Sequence, residues 1–238
     1  MSGIKNEADK YAELAKNNVS AVGQLKESAS VKFDNPDGCG ARIMLVGNSI
    51  TLHGKSEKIG WHGEWGMAAS AKEKDYVHCL ERKIQKTDPN AAFCICQVAQ
   101  WERLYKGDAE STYPIYEAAR NFSADIIVIR CIENCPRVEF EDDTFKKSLD
   151  NLIRFLDKSG RARVIITTSF WYHPGDGALR SYAEEHGLPL VELGDLGEDV
   201  AMKAIGLFEH NGVANHPGDL GMQTIAERIA EPLAELLK

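Results

Sequence analysis

The chain alternates between short, largely apolar runs and longer stretches in which apolar residues recur every three or four positions. The runs cover 42–46, 91–98, 125–132, 163–170 and 188–193. Apolar runs of that length, without alternation of polar residues, predict strands covered on both faces. Helical spacing is clearest at Phe145, Leu149, Leu152, Ile153 and Leu156, and again at Met222, Ile225, Ala226, Ile229, Leu233 and Leu236. Asp219 is a plausible N-cap for that last helix, and Pro232 a source of a kink. Further helices are expected over about 74–87, over about 177–187 with Gly187 as its C-cap, and over about 196–205. Residues 108–121 read as helix-like or irregular. Upstream, Tyr11, Leu14, Val19, Val22 and Leu25 space a helix over 4–28, and 34–40 is a turn cluster.

Strands separated by helical stretches pair in parallel through right-handed crossovers. The pattern therefore predicts a three-layer α/β/α sandwich with a central five-stranded parallel sheet. A length of 238 residues is one large domain or two small ones on a scale of about 150 residues each. No repeat or long linker divides the chain. One domain over 41–238 is expected, with residues 1–40 as a helix and turn packing on it.

Charge and cysteine content narrow the partners. A net charge of −8, with no dense basic run, argues against nucleic acid. No apolar stretch reaches the roughly 20 residues of a membrane span. The charged N-terminus lacks the apolar core of a signal peptide, which predicts a cytoplasmic location. Cys39, Cys79, Cys94, Cys96, Cys131 and Cys135 form no CxxC pair and no Cys/His grouping with zinc spacing. They read as buried, reduced thiols, with Cys94 and Cys96 on one face of their strand.

In an open parallel sheet, ligands bind outside the carboxyl ends of the strands. Gly47-Asn48-Ser49 follows the first run, Val98-Ala99-Gln100 the second, Ile132-Glu133-Asn134 the third, and His216-Pro217-Gly218-Asp219 precedes the last helix. Taken singly, each has a plain structural explanation. Together, in this order and at these places, they resemble the SGNH (GDSL-like) hydrolase family from about residue 41 to the C-terminus. The resemblance implies a serine esterase working through an acyl-enzyme, with no metal or organic cofactor. Ser49 would be the nucleophile and His216 its base and then acid. The oxyanion hole would come from the Ser49 N–H, the Asn134 amide and a backbone N–H near Ala99. The implied substrate is a small-molecule or carbohydrate ester with a small acyl group, such as an O-acetyl.

Two departures from the family pattern stand out. Val213 occupies the position of the aspartate that usually orients the histidine. The orienting group is then missing, a backbone carbonyl, or a side chain from elsewhere, with Glu209, Asn211 and Asn215 near in sequence. Ile132 stands where glycine is common, so it either narrows the pocket or reshapes the turn holding Asn134. Trp61 and Trp65, in the glycine-rich loop over about 50–73, either stack on a sugar ring or cover an acyl chain, or else plug the core beneath that loop. Arg130, in an apolar strand, needs a carboxylate partner, and Glu133 is the candidate. His173 either lines the cleft or packs in the interior. The competing functional class is a non-catalytic domain that binds a small molecule at the same strand ends, its catalytic set decayed. A phosphate or nucleotide binder is disfavoured, because neither G-x-G-x-x-G nor G-x-x-x-x-G-K-[ST] follows the first strand.

Overall fold

The structure, a computed structural model, describes residues 25–238. The helix expected over 4–28 lies almost wholly outside the described residues, and its last part, 25–28, is not helical. The sheet has six strands, in the order β1-β3-β2-β4-β5-β6. They are β1 (Val31–Asp34), β2 (Arg42–Gly47), β3 (Ala92–Gln97), β4 (Ile126–Arg130), β5 (Arg163–Thr167) and β6 (Leu190–Val191). Strands β2 to β6 pair in parallel, as the apolar runs predict. The sixth strand corrects the expected count. Residues Val31–Asp34 run antiparallel along β3, Val31 opposite Cys96 and Asp34 opposite Phe93. Four residues alternating between buried and half-buried are too short a signal to stand out beside the turn that follows them.

Seven helices are described: α1 (Tyr76–Ile84), α2 (Ala99–Leu104), α3 (Glu117–Phe122), α4 (Asp142–Leu156), α5 (Asp176–His186), α6 (Asn211–Ala214) and α7 (Asp219–Leu236). Alternate residues of each strand feed two cores. Met44, Val46, Cys94, Cys96, Ile127 and Ile129 face α3, α4 and α5. Ile43, Leu45, Phe93, Ile95, Ile126 and Val128 face α1 and α7. The same-face placement of Cys94 and Cys96 thus holds, and all six thiols are free, but only four are buried: Cys39 is exposed and Cys79 half-buried. Gly187 closes α5 in the left-handed conformation (φ 62°), its N–H on the carbonyls of Ala183 and Glu184.

Two stretches differ from their sequence pattern. The helix expected over 196–205 is only a single 3-10 turn, Val200–Met202. Gly197 packs so closely on Phe170 that a Cβ there would lie 2.0 Å from the Phe170 carbonyl oxygen, which holds this stretch as turns against the sheet. Conversely, α2 follows β3 directly where no helix was expected. Its six residues are too few for periodicity to show. Among the described residues, no helix is long and apolar enough to cross a membrane.

Strand β2 lies between β3 and β4, where the strand order reverses. Its carboxyl end is therefore at a switch point, the place in an open α/β sheet where a crevice forms. Gly47 ends the strand there. A Cβ on it would lie 2.0 Å from Thr51 Oγ1 and 2.6 Å from the Arg130 carbonyl, so only glycine lets the chain turn this tightly.

Candidate active site

The turn after β2 is closed by the N–H groups of Thr51 and Leu52, both donating to the Asn48 carbonyl at 2.9 Å. It projects Ser49 into a cavity of about 230 Å³ that is also lined by His53, Gln97, Ala99, Arg103, Asn134 and His216. Ser49 Oγ and His216 Nε2 are 2.8 Å apart. His216 Nδ1 lies 2.6 Å from the Gly212 carbonyl oxygen. That carbonyl can only accept, so Nδ1 carries the proton and Nε2 presents its lone pair to the serine hydroxyl.

The backbone carbonyl of Gly212 thus stands where the usual aspartate is missing. None of Glu209, Asn211 or Asn215 is bonded to the His216 ring. Val213 is buried with Trp61, Met67, Ala68 and Ala204, an apolar setting hostile to a carboxylate. The segment bearing His216 is pinned by Ala204 N–H on the His216 carbonyl at 3.0 Å and Gly218 N–H on the Met202 carbonyl at 2.9 Å. Trp171 packs edge-on against the imidazole, with ring centres 5.0 Å apart.

Burial pushes the His216 pKa down to about 4, against the opposing pull of the Gly212 hydrogen bond. At neutral pH the ring is uncharged and free to take a proton. If it is the base, kcat/KM should be flat through pH 6.5 and fall only as pH drops toward 4, where the imidazole protonates. A pH–rate profile from pH 3.5 to 8 checks this; an acid limb near 6.5 would show that the imidazole is not desolvated.

Beneath the turn lies a buried polar network. Arg130 donates from Nη1 to Glu133 Oε1 at 2.7 Å and from Nη2 to Asn48 Oδ1. The partner expected for Arg130 is the one it has. Asn48 in turn donates through Nδ2 to Glu102 Oε1 at 2.9 Å and to Glu133 Oε2 at 2.5 Å. An aspartate at position 48 would face both carboxylates with no proton to give, which accounts for asparagine here. Burial raises the Glu102 pKa to about 7, with the Glu133 charge adding to the rise. Burial opposes ionisation of Glu133 too, but Arg130 and the Phe170 and Asn48 donors outweigh it and hold that carboxyl below its usual range.

Glu102 also shapes the Asn134 turn. Asn134 Nδ2 donates to Glu102 Oε2 at 2.5 Å, and the Ile132 N–H donates to Glu102 Oε1. Ile132 has φ of +115°, a conformation that costs a β-branched residue of order 1–3 kcal/mol. The glycine common at this position in the resembling family would adopt it freely. Here the isoleucine takes up that glycine-type conformation under strain, and the Glu102 carboxyl holds its N–H in place. The second amide hydrogen of Asn134 is left for the cavity, and Arg103 Nη2 donates to its Oδ1 at 3.3 Å. Ala99 N–H sits at the cavity wall, 3.3 Å from Gln97 Oε1.

The tryptophans require a correction. Trp61 is 2% exposed, packed under the loop, and its Nε1 donates to the His53 carbonyl, so it offers no stacking face. Trp65 is half-buried, bonded to the Ala69 carbonyl and turned away from the Ser49 cavity. A long loop must cover its own backbone, and these two rings do that. The aromatic residue beside His216 is Trp171. His173 is a packing residue: it is buried, takes the Gly175 N–H on Nδ1 at 3.0 Å and contacts the Cys135 carbonyl through Nε2. Sequence reasoning missed Glu102 and Arg103, which lie on the short α2. A charged pair in the short segment that follows the second apolar run was the available signal.

Neither a protein-family model nor a curated protein matches the sequence. Solved structures do. A family two carbohydrate esterase from Clostridium thermocellum, in complex with cellohexaose, is similar at 17% identity and a TM-score of 0.57, over 83% of this chain and 64% of that one. A two-domain esterase active on acetylated mannans is similar at 18% identity and a TM-score of 0.54, over 86% of this chain. The chain spans about half the length of that esterase, 51%. A lipolytic protein of the G-D-S-L family from Veillonella parvula is similar at 14% identity and a TM-score of 0.52, over 82% of this chain and 99% of that one. The chain carries the α/β fold of the SGNH (GDSL-like) hydrolases.

Proposed function

We propose that the protein is a serine esterase that removes a small acyl group, such as a carbohydrate O-acetyl, through an acyl-enzyme. The observation that carries the reading is the 2.8 Å contact between Ser49 Oγ and a His216 whose free nitrogen faces it. In the proposed reaction Ser49 Oγ attacks the ester carbonyl and its proton passes to His216 Nε2. The carbonyl oxygen becomes an oxyanion, received by the N–H of Ser49, the N–H of Ala99 and the free amide hydrogen of Asn134. Collapse of this intermediate breaks the ester bond, and the alcohol leaves with the proton from His216. Water, deprotonated by the same imidazole, then attacks the acyl-serine and releases the acid.

A cavity of about 230 Å³ favours a short acyl group over a fatty chain. The carbohydrate part of the reading is supported by what two of the similar structures bind or act on, cellohexaose and acetylated mannans. The decayed-site alternative rests on the absent aspartate; the Gly212 carbonyl, 2.6 Å from His216 Nδ1, supports the catalytic reading over it.

Acetate release from p-nitrophenyl acetate and from acetylated sugars tests the proposal. Turnover of a short ester and none of a long acyl ester is the expected outcome; no turnover of any ester would overturn it. Asn134→Ala should lower kcat about 10²–10³-fold while KM changes little, as expected for a donor engaged only in the transition state. Steady-state kinetics on the same ester measures this.

A further inference from the structure

The geometry points to a divalent-cation site, of zinc-binding chemistry, formed by Asp34, His78 and Glu81. It lies on the flank of the domain and involves none of the residues of the Ser49 cavity. Asp34 ends the edge strand β1, and His78 and Glu81 stand one turn apart on α1, so they share a face of that helix. One ligand atom from each of the three lies within 4.8 Å of the others. Ligand atoms around a tetrahedral zinc are about 3.3 Å apart for bonds near 2.0 Å, so small side-chain rotations close the set.

Two independent observations favour an ion. Glu81 is only 6% exposed, yet its Oε1 has no hydrogen-bond partner among the described residues. A buried carboxylate oxygen without a donor is costly, and the group must either meet a cation or keep its own proton. His78, for its part, is oriented as a metal-binding histidine is. Its Nδ1 lies 2.6 Å from Asp75 Oδ1, and Asp75 is itself fixed by the N–H groups of Gly66 at 2.9 Å and His78 at 2.8 Å. A carboxylate on Nδ1 turns Nε2 outward as the ligand atom, the arrangement in which an outer carboxylate braces a zinc-bound imidazole. Here Nε2 faces Asp34 Oδ2 at 3.2 Å.

One imidazole with two carboxylates suits zinc in preference to magnesium or calcium, which take all-oxygen sets. A cavity of about 310 Å³, bordered by Asp34, Thr51, Trp65, Lys72 and His78, gives a fourth ligand or water access from solvent. Lys72 Nζ lies 3.1 Å from Asp34 Oδ1 and competes for that carboxylate, although its long side chain is about half exposed and free to swing away. A bound ion would tie β1 to α1, fastening the antiparallel edge strand to the body of the domain.

Calorimetric titration of the full chain with ZnCl2, paired with thermal melts, tests the site. Wild type should bind zinc saturably and melt higher as zinc is added. Asp34→Asn and Glu81→Gln, which preserve shape, should each weaken the binding at least tenfold and lose the zinc-dependent rise in melting temperature. Circular dichroism establishes that both variants are folded. Ser49→Ala should bind zinc as wild type does. If wild type takes up no zinc, His78 is an imidazolium bridging two aspartates and the proposal falls. Binding that survives in both variants lies at other histidines and overturns it equally. Esterase activity does not enter either outcome.

Discussion

Ser49→Ala should reduce ester hydrolysis by at least ~10³-fold while leaving the protein folded. The substitution removes one hydroxyl, whose structural part is a single hydrogen bond worth about 1 kcal/mol. Nothing else in the turn depends on it. The tight bend is set by Gly47, and its side-chain anchor is Asn48, buried on Arg130, Glu102 and Glu133. Loss of activity without a comparable loss of stability is therefore diagnostic of a nucleophile. The measurement is initial rate on p-nitrophenyl acetate beside a thermal melt. A variant that keeps more than a tenth of the wild-type rate would show that hydrolysis occurs elsewhere, or through a water not activated by Ser49.

Arg130→Met should be the most destabilising single change in the site region, at about 3–5 kcal/mol. The side chain is wholly buried, and it is the cation of a network that also holds two carboxylates. Methionine fills much of the volume but leaves Glu133 without its partner and Asn48 without the donor on its Oδ1. Against a total stability of about 5–15 kcal/mol, such a loss is a large fraction. It should lower the urea midpoint by roughly 1–2 M. Adding Glu133→Gln should recover part of the loss, because the stranded charge is then gone. If the losses of the two single variants simply add in the double, the pair is not coupled and the network is less than its geometry implies. Activity should fall with stability, since Asn48 precedes Ser49, the proposed nucleophile, and Glu102 holds the Asn134 turn.

What the sequence disclosed follows from the range of each physical signal. The parallel strands were legible because burial on both faces writes an apolar run into consecutive residues. Helices α4 and α7 were legible because 15 and 18 residues give periodicity room to repeat. Strand β1 and helix α2 are too short for either signal, and both are held by tertiary pairing. Ser49, Asn134 and His216 stood out as candidates because two follow strand ends and the third precedes the last helix, in a recognisable order. Glu102 could not, since its meaning depends on Asn48, Ile132 and Asn134, which reach it across 30 residues or more of chain. The tryptophans stayed undecided for a related reason: an aromatic residue in a loop reads alike whether it faces the solvent or the core, and only the path of the loop decides.

The Gly212 carbonyl that holds His216 has a different character from a side chain in that role. Every residue owns a carbonyl, so the orienting function is inherited with the course of the 211–216 segment and not with any letter of the sequence. Side-chain exchange at 212 cannot delete it, and a search for the missing acid cannot find it. It also brings a dipole where an aspartate would bring a full charge. In the proposed reaction the imidazolium that would form as Ser49 attacks would be steadied only in part, which would give the chemical step a lower ceiling than a full triad permits. In exchange, the resting site carries one buried charge fewer, in a domain that already keeps Arg130 and Glu133 charged beneath the same turn.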